Sequence, residues 1–148
     1  MSDTRETPGN STRRRSLDAA ELAYLRTQRL GRLATVDPSG QPQANPVGFF
    51  PQDDGTILTG GFALGKTKRW RNLRANPKLS LVVDDVAGPL PQGARGVEIR
   101  GEAELLTGRP HGLGAGMSDE LIRIHPRWVH SWGLENGTGN DTDNGTAE

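Results

Sequence analysis

The chain predicts a mainly β protein with two helices, its strands antiparallel and curled into a closed or nearly closed barrel. Three observations predict this. Six short segments carry strand signals, and mostly tight turns separate them. Residues 97–105 alternate strictly, with Val97, Ile99, Gly101, Ala103 and Leu105 on one face and Glu98, Arg100, Glu102 and Glu104 on the other. That period of two is a strand with one wet face. Finally, there is no regular alternation of strand and helix, which argues against a Rossmann sheet.

The elements follow in order. Ser16 is positioned to cap a first helix, with Asp18 and Glu21 in its first turn and Ala20, Tyr24 and Leu25 as its apolar stripe. Residues 31–36 form the first strand, closed by the turn composition of Asp37-Pro38-Ser39-Gly40. A second strand spans about 43–50. Pro46 cannot donate to a ladder, so this strand belongs at an edge or a bulge. Residues 56–59 make a third strand that ends in Gly60-Gly61. Residues 66–76 read as a helix stopped by Pro77. A fourth strand covers 78–83 and a loop covers 86–96. The fifth is the alternating segment, and residues 107–118 form a Gly-rich loop. Residues 121–132 make the last strand, bent or interrupted at Pro126.

Composition bounds the function. A chain of 148 residues is one domain's worth, with 18 basic and 18 acidic side chains and no cysteine. Disulfides, cysteine-ligated metals and thiol catalysis are excluded. Zero net charge does not suit a polycation built for DNA, so nucleic acid is not expected as a partner. No apolar run reaches the roughly 18 residues of a membrane span, and the first fifteen residues lack the apolar segment of a secretion signal. The expectation is a soluble cytoplasmic protein. Residues 1–16 and 135–148 have almost nothing to bury and are expected to be disordered tails around a folded domain at 17–134.

Charge is unevenly placed. Lys66, Lys68, Arg69, Arg71, Arg74 and Lys78 follow one another without an intervening acid. Gly60, Gly61 and Gly65 precede this run, and Thr67 stands where the helix begins. Glycines, a hydroxyl, a helix N-terminus and cations together make an anion site, through backbone N–H groups and charge-assisted bonds. Two readings stand open on composition: a phosphate pocket and a solvated basic helix face. A second candidate is Asn45-Pro46-Val47-Gly48, where Pro and Gly would expose backbone groups and leave room for a flat ring. An ordinary barrel bulge is the plainer reading. His111, His125 and His130 lack a metal-ligand spacing, so no metal is expected. His130 shares a face with Trp128 and Trp132, which suit the core but could stack on a ligand ring at a barrel mouth. No side chain in the sequence stands out as catalytic.

The segments "GRLATVD", "NPVGF", "DDGTILTGG", "KTKRWRNLRANPKLSLVVDD", "GVEIRGEAEL" and "IRIHPRWVHSWGL" span roughly 30–134. In order and spacing the chain resembles the pyridoxamine 5′-phosphate oxidase-like split-barrel proteins. The "TK..RN.R.NP" helix and the "P..V.SWGL" end resemble the branch that uses the deazaflavin coenzyme F420 rather than FMN. The resemblance implies a six-stranded antiparallel split β-barrel of Greek-key topology, FMN-binding-like. It also implies a homodimer with two cofactor sites at the subunit interface. The cofactor phosphate would be held by Thr67, Lys68 and Arg69, with Lys66 adjacent. The ring would lie along Asn45, Pro46, Val47 and Gly48, approached from Thr59, Gly60 and Gly61, with Trp132 as a further contact. Pyridoxamine phosphate oxidases carry Arg and Lys on the second strand where this chain has Ala44 and Phe49, so vitamin B6 oxidation is not implied. The branch includes a reductase of a dehydrotetracycline enone. The function implied is therefore hydride transfer from reduced F420 to a C=C of a small molecule, with a dehydrotetracycline in the last step of antibiotic biosynthesis as lead substrate. The alternatives are an FMN-dependent enzyme of the same fold, a non-catalytic cofactor carrier and a single-strand nucleic-acid binder.

Overall fold

In the computed structural model, residues 15–108 and 110–134 are described. Seven antiparallel strands form one sheet: β1 (Leu30–Val36), β2 (Pro42–Gly48), β3 (Phe50–Pro51), β4 (Ile57–Thr59), β5 (Lys78–Val86), β6 (Ala94–Leu106) and β7 (Leu121–Trp132). Two helices accompany them, α1 (Ala19–Arg26) and α2 (Lys68–Ala75).

The strand order is β2-β1-β5-β6-β7-β4-β3. β2 and β3 stand at opposite ends of that order, yet only Phe49 separates them in the chain. They are one run of chain that bends at Phe49, whose ring is buried in the core. The two ends of the sheet therefore meet in a single strand, and the sheet curls into a barrel. The six expected strands become seven because the second is divided at this bend. The hydroxyl of Thr59 donates to the carbonyl of Gly48 at 2.8 Å and ties the two ends together. Neighbours run β5, β1, β2/β3, β4. Three hairpin-linked strands thus lie side by side, and the strand after the long connection returns beside the first, which is the Greek-key order.

Alternation fills the barrel. Leu33, Leu81, Val83, Val97, Ile99, Ile122, Ile124 and Val129 point inward, and each is at most 1% exposed. At about 25 cal/mol for each Å² of apolar surface removed from water, such side chains supply most of the drive to fold. α1 closes one side with Tyr24 and Leu25. Its buried Glu21 accepts from the hydroxyl of Ser131 at 2.6 Å, which satisfies a carboxylate that would otherwise be costly inside.

Several boundaries shift from the sequence expectation. The cap of α1 is Asp18, not Ser16: Asp18 and Glu21 form a reciprocal capping box that Ser16 cannot make. α2 starts at 68 rather than 66, because residues 64–66 form a tighter 3-10 turn and Thr67 becomes the cap. The loop expected at 86–96 is shorter. β5 and β6 pair out to Val86 and Ala94, so their hairpin extends farther than the apolar pattern. The interruption at Pro126 is present. Arg100 faces Trp128 but Gly101 faces Pro126, so Arg127 is the extra residue of a bulge. Pro46 keeps regular register with β1 and needs no bulge. The terminal segments 1–14 and 135–148 lie outside the described residues.

Candidate cofactor site

The N-terminal end of α2 carries the basic run. The hydroxyl of Thr67 accepts from the amide of Trp70 at 3.2 Å and donates to the carbonyl of Leu64 at 2.7 Å. In this structure it serves as the helix cap. Helix geometry leaves the next two amides, of Lys68 and Arg69, without intrahelical partners. The Asn72 amide group donates to the hydroxyl of Thr35 and to Oε1 of Gln43, both at 3.0 Å. These two bonds, the first of them buried, lock α2 onto β1 and β2 and so orient the first turn.

The cations there are held differently. Lys66 is exposed. Lys68 Nζ lies 3.6 Å from Oδ2 of Asp37, in the turn between β1 and β2. Arg69 folds back over the strand end. Its Nη2 donates to the carbonyl of Gly60 at 3.4 Å, while its Nε is buried with no partner among the described residues. Burial lowers the Arg69 pKa from its ordinary value, yet a guanidinium keeps its proton. Arg123 has a likewise buried and unpartnered Nε, but Arg69 stands at a helix N-terminus, where an anion would also meet free amides. Asp37 is pulled down to about 2, first by the hydroxyl of Ser39 and then by the amide of Gln41, so it is ionised throughout the neutral range.

The glycines have a packing reason. A Cβ on Gly61 would lie 2.8 Å from Nη2 of Arg69, and one on Gly65 would lie 2.6 Å from Oε2 of Glu120. Gly60 is pressed by Met117. The left-handed backbone in this segment belongs to Ala63, at φ 52°, and none of the three glycines has a positive φ. The expected phosphate-cradling turn is thus a close-packed corner. Ser118 holds it, accepting from the amide of Leu64 at 2.9 Å and bonding the carbonyl of Gly61 through both its amide and its hydroxyl. Sequence reasoning missed Asp37, Asn72, Ser118 and Glu120. Only the Asn72 signal was local, a polar residue on the buried side of an amphipathic helix.

The structure brings some expected residues together and leaves others apart. Thr59 is fully buried and reaches Gly48, so the end of β4 and the end of β2 are neighbours. Val47 is a core side chain, 4% exposed, so only its backbone is available to a ligand. Pro46 and Gly48 are exposed, and Asn45 is half-buried. Trp132 is grouped elsewhere. It pairs with Gly96 on β6, and its ring is 5.8 Å from that of His130, which is 6.0 Å from Trp128. These three rings are half-buried on the barrel's outer face, so Trp128 and Trp132 are not core. A cavity of about 440 Å³ opens on the outer faces of β1, β5 and β6, lined in part by Ala34, Val36, Ser80, Arg100 and Arg127. None of the expected site residues lines it. Among the described residues no group of His, Asp or Glu is arranged to hold a metal. No helix among them is long and apolar enough to cross a membrane.

Comparison with known proteins adds a lineage to this geometry. The chain is 43% identical over 121 residues, 78% of its length and 82% of the relative's, to the 5a,11a-dehydrotetracycline/5a,11a-dehydrooxytetracycline reductase of Streptomyces rimosus. Among solved structures it is similar to an F420 reductase, with TM-score 0.60 and 25% identity, covering 76% of this chain and 98% of that one. It is also similar to a conserved hypothetical protein of Mycobacterium tuberculosis, with TM-score 0.65 and 25% identity, covering 86% and 94%. The family model described as pyridoxamine 5′-phosphate oxidase matches residues 17–133, which is nearly the whole expected domain. With the curled antiparallel barrel and this match across it, the chain belongs to the pyridoxamine 5′-phosphate oxidase family.

Proposed function

We propose that this protein is an oxidoreductase that uses reduced coenzyme F420 to reduce a C=C of a small enone, with a dehydrotetracycline as lead substrate. The substrate reading is supported by the 43% identity to the Streptomyces rimosus reductase. The cofactor reading is supported by the likeness to an F420 reductase. The single structural observation that carries it is the buried, partnerless Nε of Arg69 beside the first turn of α2.

The donor set fits a phosphate. Arg69 and the first amides of α2 would hold it, with Lys66 and Lys68 as flanking charges. Backbone groups of Asn45 to Gly48 would support the ring from the exposed side of β2, and Thr59, joined to Gly48, keeps that strand end in place. When bound, reduced F420 supplies the hydride. The chain's task is to hold the reacting carbon about 3–3.5 Å from the donor and to exclude water. We place Trp132 outside this group and assign it to the outer face. The protein is further proposed to act in the cytoplasm and as a homodimer with the cofactor sites at the subunit interface; sedimentation that gives only monomer at working concentration removes the dimer.

The test is a fluorescence titration with oxidised F420 and FMN in parallel, followed by turnover of a dehydrotetracycline with reduced F420. Tight F420 binding with substrate-dependent cofactor oxidation is expected. Preference for FMN moves the protein to flavin chemistry. Binding without turnover makes it a carrier. Binding of neither, with retention of single-stranded nucleic acid that falls steeply with salt, overturns the proposal.

A further inference from the structure

We propose that Asp37 selects the charge of the phosphate accepted at α2: its fixed carboxylate favours a singly charged phosphodiester over a doubly charged phosphomonoester. This rests on the α2 cofactor site proposed above and names the residue that would separate F420, a phosphodiester, from FMN, a phosphomonoester.

The geometry is specific. Asp37 Oδ1 accepts from the amide and hydroxyl of Ser39, at 2.9 and 2.7 Å, and from the amide of Gln41, at 3.0 Å. Three donors pin the carboxylate, and its side chain is only 16% exposed. Its other oxygen is aimed at Lys68. A rigid anion therefore stands against the first residue of α2, where an incoming phosphate would arrive. It cannot swing away without losing the turn's hydrogen bonds. Lys68, with half of its side chain exposed, is the movable partner. The charge of Asp37 is retained at neutral pH, since its pKa is depressed by those same donors.

The consequence is a charge filter. Of the three cations next to the Thr67 cap, one already has a counter-ion. Repulsion from Asp37 scales with the charge on the phosphate group that it faces. A phosphomonoester carries about −1.5 to −2 at neutral pH, against one charge for a diester. One unit of repulsion across a partly wet surface is on the order of a five- to tenfold factor in binding, and it acts about one and a half to two times over on the monoester.

Titration of FMN and oxidised F420 into the wild type, Asp37→Asn, Lys68→Gln and Arg69→Ala tests this. Asn keeps the acceptor for Ser39 and Gln41, so the turn is retained. Asp37→Asn should tighten both ligands and move the FMN-to-F420 affinity ratio about two- to tenfold toward FMN, with a smaller shift at high salt. Lys68→Gln leaves Asp37 unopposed and should move the ratio the other way. A ratio unchanged within about twofold in folded Asp37→Asn sinks the inference at that interaction strength. Should that variant fail to fold, a Lys68→Gln ratio that stays put sinks it equally. Arg69→Ala separates the two levels of argument. If it weakens neither ligand, the α2 site itself is wrong. If it weakens both while the ratio ignores Asp37, only the filter is wrong.

Discussion

Two aspartates on this barrel face cations in opposite styles. Asp85 takes two bonds from Arg95, at 2.7 and 3.0 Å, and a third from the Tyr24 hydroxyl at 2.9 Å. The Arg95 guanidinium also lies over the Tyr24 ring, 5.2 Å from its centre. Asp37 meets Lys68 at 3.6 Å, and beside them Arg69 keeps a buried donor unused. The first cluster is closed on itself and joins α1 to β5 and β6. The second leaves capacity open at a helix end. A closed network stabilises; an open one is a place for a ligand.

The largest break in that comparison is Arg69→Ala. It should weaken binding of a phosphate-bearing cofactor by about 1.5–3 kcal/mol, ten- to hundredfold, the range for a hydrogen bond to a charged group. Unchanged affinity in a titration would place the anion elsewhere. Tyr24→Phe acts on the closed cluster. It should lower stability by about 1 kcal/mol, read from the urea midpoint, and leave cofactor affinity alone. Loss of affinity in that variant would mean the two regions are coupled through the barrel.

The smallest effect is the dependence on acid. Asp85 and Asp37 are both held at about 2, below the ordinary 3.8. For Asp85 the guanidinium of Arg95 is the main cause, and for Asp37 the Ser39 hydroxyl. A depressed carboxylate adds stability above its unfolded pKa and loses it on protonation. Stability should therefore fall as pH drops from about 4 toward 2. Asp85→Asn should flatten that slope while leaving the binding of FMN and F420 unchanged. Asp37→Asn should flatten it and also shift their ratio. A slope unaffected by either variant would show that other carboxylates govern acid unfolding.

Much of the barrel was legible in local pattern. The alternation at 97–105 named β6 and its inward face, because a two-residue period has one geometric meaning. Pro77 set the end of α2, and Pro126 marked a bulge in β7. The division of the second strand at Phe49 was not legible, since residues 42–48 pair with β1 while residues 50–51 pair with β4, and those partners are set only by the closure of the sheet. The cap of α1 was misplaced by two residues because a reciprocal pair competed with a lone serine.

The site was half legible. The basic run, the glycines before it and the residue opening α2 were all visible in order. What the sequence by itself determined is the inventory: an antiparallel barrel, a short basic helix, and the absence of cysteine chemistry. These follow from period, composition and chain stiffness, which act over a few residues. Only the tertiary structure decided how those charges are spent. In the chain no acid interrupts the run from Lys66 to Lys78, yet in space Asp37 lies beside Lys68 and Glu120 beside Gly65. Electrostatic energy depends on distance through space rather than along the chain. The fold therefore leaves half-buried Arg69, at the start of α2, with an Nε that finds no partner among the described residues, and puts Trp132 on the outer face.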